Sequence, residues 1–130
     1  MNKQKLKKII IELKNEALQE KEQYEKHFRE SVIQFNPFYS LEKTSAKIYN
    51  LNVCLKVYDI VIDTLETQTV LDVLKLSDKN IYSYSDLLYK EKLRGELNNQ
   101  NFYSFVLNGW ISIREIILDR GFIIYYSPED

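Results

Sequence analysis

The chain has 130 residues, the usual size of one domain and enough to bury a core. Its 45% hydrophobic and 13% aromatic content excludes a disordered chain, and three glycines and two prolines disfavour a turn-rich sheet. A formal net charge of −1 gives no whole-protein field toward nucleic acid or acidic lipid.

Residues 3 to about 34 lack Pro and Gly. Leu6, Ile10, Leu13, Ala17, Tyr24, Phe28 and Phe35 recur by three, four or seven, with a polar gap at Glu20 and Lys21. The spacing predicts one long amphipathic helix that ends before Asn36-Pro37, because a residue preceding proline avoids the α region. The opening apolar run, Ile9 to Ile11, is too short for a signal-peptide core. No segment reaches the roughly 18 apolar residues of a membrane span. These features and the single cysteine lead to the expectation of a cytoplasmic protein without disulfides.

Ser40 or Thr44 can cap a second helix running to about Leu65, and after a break at Thr67-Gln68-Thr69 the helical spacing resumes to Leu76. Asn52, Lys56, Asp59, Asp63 and Glu66 share one narrow face of it, and apolar residues fill the rest. Such a helix is buried on several sides, so it is expected at the centre of the fold.

Ser77 to Asn80 reads as a turn and Ile81-Tyr82-Ser83-Tyr84 as a short strand. Ser83 and Asp86 have capping-box spacing ahead of a helix over about 85–94. Gly95 and the polar run 98–101 then separate it from a last helix, about 102–119, with Asn101 as N-cap and Gly121 as the left-handed terminal residue. Phe122 to Tyr126 is β-prone and could pair with 81–84, and the final Ser-Pro-Glu-Asp is expected to fray.

On the last helix Phe102, Phe105, Val106, Gly109, Ile113, Ile116 and Ile117 form the main apolar stripe. Gly109 lies at its centre, where a missing side chain admits a neighbouring helix and offsets about 1 kcal/mol of lost helix propensity. Leu107, Ile111 and Leu118 form a second band beside Trp110. Leu107 and Leu118 are expected in the core, with Trp110 and Tyr103 half exposed at its rim.

Catalytic signatures are missing: there is no Gly-rich phosphate loop, CxxC, HExxH or GxSxG. His27 is the lone histidine, on a Lys/Glu-rich helix, where a structural or solvated role is expected. A helical di-iron site wants Glu three residues before His, and Tyr24 stands there. A HEPN-type RNase would carry an Arg ahead of its His, and none precedes His27. Asp59, Asp63 and Glu66 could together hold a divalent cation, but with Lys56 in the same row a solvated, ion-paired face is expected. Cys54, among apolar neighbours, reads as a small core residue. Lys3, Lys5, Lys7 and Lys8 form one basic cluster, able to touch phosphates but commonly only solubilising.

From residue 80 onward the order strand, helix, turn, longer helix ending in Asp-Arg-Gly, then Phe-Ile-Ile-Tyr-Tyr resembles the core of a winged helix-turn-helix domain. That resemblance implies a DNA-reading second helix followed by a wing strand. Two departures oppose it: Glu115 and Asp119 stand where basic or amide side chains should face the groove, and the chain ends before a wing could turn back.

The expected architecture is a single all-α domain over 1–130. In it a long N-terminal helix packs on a buried central helix, and a C-terminal helical pair follows with a small two-stranded element. The expected function is a small non-enzymatic regulator or inhibitor that binds another protein or itself, without metal or cofactor. Its partner-binding residues are expected to be Tyr103, Leu107, Trp110, Ile111, Tyr125 and Tyr126. The joint abundance of Lys, Asn, Ile and Tyr, residues with AT-rich codons, points to an AT-rich bacterial or phage genome. The alternative is a winged-helix DNA-binding regulator using residues 80–126.

Overall fold

The computed structural model describes residues 1–33, 38–95 and 97–126; side chains at 31–33, 38–41, 97, 98 and 119–126 are outside that description. Four helices follow in order: α1 (Lys3–Ile33), α2 (Phe38–Thr67), α3 (Val70–Arg94) and α4 (Leu97–Tyr126). No strand occurs among the described residues, so the all-α expectation holds.

Each boundary has a local cause. Asn2 starts α1, its Oδ1 accepting from the Lys5 amide at 2.8 Å. Between α2 and α3 only two residues intervene, and Thr69 caps α3 reciprocally with Asp72. The Thr69 hydroxyl accepts from the Asp72 amide and the Asp72 carboxylate accepts from the Thr69 amide. Gly95 closes α3 in the left-handed region, φ 78°, donating its amide to the Glu91 carbonyl.

The helices pair as two antiparallel hairpins. Lys7 meets Glu66, Lys14 meets Asp59, and Lys47 donates to the Tyr24 hydroxyl, so partner numbers fall along α2 as they rise along α1. Asp78 meets Arg114, Tyr84 stacks near Tyr103, and Gln100 donates to the Glu91 carbonyl, which sets α3 against α4 in the same sense. The hairpins join chiefly through α2 and α4, which run parallel: Tyr49 stacks on Phe105 and Val57 meets Gly109.

α2 packs on α1, α3 and α4, as its near-continuous apolar circumference predicts. The core gathers at one end of the molecule. Leu6 and Ile10 of α1, Val61 and Leu65 of α2, Val73 of α3, and Ile113 and Ile117 of α4 meet there. Beyond Ala17 no described α1 side chain is fully buried, and α1 and α2 continue as a two-helix arm with Tyr24 and Phe28 half-buried. The polar gap at Glu20 and Lys21 marks where this arm begins.

The two-stranded element and the winged-helix order do not form. Residues 77–84 lie inside α3, and α4 runs on past Gly121 to Tyr126. The turn-like residues are absorbed by side-chain bonds to the preceding turn: the Ser77 hydroxyl donates to the Val73 carbonyl and Asn80 Nδ2 to the Leu76 carbonyl. Ser83 is therefore no cap, and the helix expected to begin at 85 begins at Val70. Likewise α4 starts at Leu97, so Asn101 lies within it.

Candidate functional site

Gly109 is buried, and a Cβ there would stand 3.2 Å from Cγ2 of Val57. The glycine thus makes room for the α2 side chain at the crossing of the two hairpins, the role its place in the apolar stripe predicts. From this contact α2 and α3 diverge across α4 and leave a groove of about 530 Å³. Val53, Val57 and Ile60 of α2 form one wall, and Leu76, Asn80 and Tyr84 of α3 the other. Val106 and Trp110 of α4 lie between them, and Tyr49 and Phe102, ring centroids 6.5 Å apart, close one end. Asn52 and Lys56 complete the lining, which among the described residues holds no carboxylate, histidine or cysteine. It can bury apolar matter.

Trp110 corrects the sequence expectation. It is 2% exposed, not half exposed at a rim: it lies at the floor of the groove, between α2 and α3. Leu118, expected in the core, is 41% exposed, and Leu107 is half-buried. The second apolar band is therefore the less covered of the two. Tyr103 is half-buried between Tyr84 and Phe102, with centroids 6.0 and 5.6 Å away, and Ile111 is half-buried. The side chains of Tyr125 and Tyr126 lie outside the described residues. The four expected partner residues whose side chains are described thus do not form one exposed surface.

A different surface does. Leu71, Tyr82, Tyr89 and Leu93 of α3 are 57%, 78%, 64% and 72% exposed. At 3.6 residues per turn they fall within about 40° of one another, on the side of α3 away from Val73 and Ser77. Reading 77–84 as turn and strand hides this stripe. As one helix over 70–94 the same residues show it at once.

The remaining candidates lie outside the groove. Asp59 and Glu66 pair with Lys14 and Lys7, both at 2.6 Å. The Lys7 hydrogen bond and charge hold the Glu66 carboxyl below its ordinary range. Lys3 adds to that field and to the one on Asp72, so part of the basic cluster serves the acids at the α2–α3 junction. Among the described residues no three His, Cys, Asp or Glu side chains gather to hold a metal ion. Burial, and then the charge of Glu20, push the Cys54 thiol up, away from the thiolate a nucleophile needs. His27 is exposed. Among the described residues no helix is long and apolar enough to cross a membrane.

No protein-family model, no curated protein and no solved structure matches this chain.

Proposed function

We propose that this protein is a non-enzymatic regulator or inhibitor that binds another protein through the outer stripe of α3. The observation that carries it is the alignment of Leu71, Tyr82, Tyr89 and Leu93, all more than half exposed. Exposed apolar side chains scattered singly are ordinary, but four large ones on one helical stripe mark an interaction face. Tyrosine suits such a face because it offers a broad apolar ring and a hydroxyl at low entropic cost. In an AT-rich phage or mobile element, a protein of this kind would act on a host or defence enzyme.

The DNA-binding alternative would need a turn and wing strands within 80–126. Those residues form the end of α3, the Gly95 turn and α4.

The test compares partners captured from the native host by the wild-type chain and by the triple variant Tyr82→Ser, Tyr89→Ser, Leu93→Ser. These side chains are exposed, so helicity and melting should change little while specific capture is lost. Identical capture by both proteins would refute the α3 assignment. Self-association is read separately by sedimentation of the same pair.

A further inference from the structure

The groove between α2, α3 and α4 lies on the opposite side of α3 from the outer stripe and is a distinct site. We propose that it binds a small anionic amphiphile, an apolar chain or ring system ending in a carboxylate, with Lys56 holding the anionic end.

Three observations carry this. The first is size: about 530 Å³ falls inside the roughly 300–1,000 Å³ range of small-molecule sites. The second is the wall. Val53, Val57, Val106 and Trp110 are all buried and present an apolar bed at the crossing of the hairpins. Transfer of hydrocarbon from water into such a bed is favourable in proportion to the area covered.

The third is charge. Among the described residues Lys56 is the only charged side chain lining the groove, and it is exposed. On the polar face of α2 Asp59 is bound by Lys14 and Glu66 by Lys7, and Asp63 stands two helical turns from Lys56, about 10 Å along the axis. Among the described residues Lys56 itself has no ion-pair or hydrogen-bond partner. Asn52, one turn earlier on the same face, adds a second donor. An apolar bed with one unmatched cation at its edge complements an amphiphile of the opposite sign. A quaternary or protonated amine would meet the same charge as repulsion.

The site carries its own reporter, since Trp110 lines the groove and is the only tryptophan in the chain. Decanoate, decanol and decyltrimethylammonium share one chain length and differ in head charge. Each is titrated well below its micellar concentration while Trp110 emission is recorded. Decanoate should saturate the signal, with decanol weaker and the cation weakest. Lys56→Gln should weaken decanoate by roughly tenfold, the scale of a charge-assisted hydrogen bond, and leave decanol unchanged. Asn52→Phe, which fills the mouth from an exposed helical position, should weaken all three.

Equal binding of decanoate to the wild type and Lys56→Gln would overturn the role of Lys56. Undiminished binding to Asn52→Phe would place the amphiphile elsewhere, and no saturable response to decanoate would remove the site.

Discussion

Replacing Gly109 by leucine tests the crossing on which both the fold and the groove depend. A Cβ there stands 3.2, 3.7 and 3.9 Å from Cγ2, Cβ and Cγ1 of Val57, and Val57 is 3% exposed, so it has little room to withdraw. The leucine must force α2 and α4 apart or push Val57 off its rotamer, and overpacking of this kind costs about 1–3 kcal/mol. Leaving glycine gains roughly 0.8–1 kcal/mol of helix propensity, so Gly109→Leu should destabilise by up to about 2 kcal/mol net. Val57→Ala alone removes two buried carbons, about 1.6 kcal/mol of transfer free energy before any cavity cost.

Combined, the two changes should be markedly less harmful than their sum, because the leucine occupies space the valine vacates. A coupling of about 0.5–3 kcal/mol is typical for residues in contact. Urea denaturation of the wild type, both singles and the double, followed by circular dichroism, measures it. Additive singles, or a Gly109→Leu protein stabilised by the full propensity gain of about 0.8–1 kcal/mol, would refute direct contact between α2 and α4 at this point.

Trp110 should emit at short wavelength and resist acrylamide in the isolated protein; red, easily quenched emission would contradict its burial. Ile113→Ala, at a fully buried site, should cost about 2–5 kcal/mol. Leu118→Ala, 41% exposed, should cost much less, and thermal melts distinguish the two. Thr69→Ala should lose about 1 kcal/mol as the α3 cap is removed. The bonds from the Thr69 amide and hydroxyl hold the Asp72 carboxyl below its ordinary range. Its contribution is therefore complete above the unfolded value near 3.8 and is lost as pH falls through the lower folded value. Asp72→Asn should accordingly flatten that part of the stability–pH curve, and an unchanged slope would dismiss the capping box as its source. Random duplex DNA should not bind at low salt; binding that weakens steeply as salt rises would revive the DNA-binding reading.

Much of this fold is written in local chemistry. The long 3.6-residue period marks α1, the break at 67–69 separates α2 from α3, and Gly95 ends α3 where its backbone freedom is used. The apolar circumference of α2 marks it as central, and the place of Gly109 in its stripe announces a close helix contact. These features are legible because propensity, period and burial agree at each of them.

Where local preference and packing disagree, the tertiary structure decides. Ser77 to Asn80 has the composition of a turn, yet Ser77 is fully buried and helical. Its hydroxyl bonds inside the helix, and Val73 and Ile81 on either side are needed by the core. Ile81 to Tyr84 alternates like a strand, but Ile81 and Tyr84, three apart, both pack inward while Tyr82 is exposed. Trp110 could have faced either way on its helix. Only the packing of α4 against both α2 and α3 buries it, and the same packing makes it part of a groove. The candidate sites were hidden for the same reason. A groove belongs to three helices at once, and the outer stripe of α3 exists only once packing has made residues 70–94 a single helix.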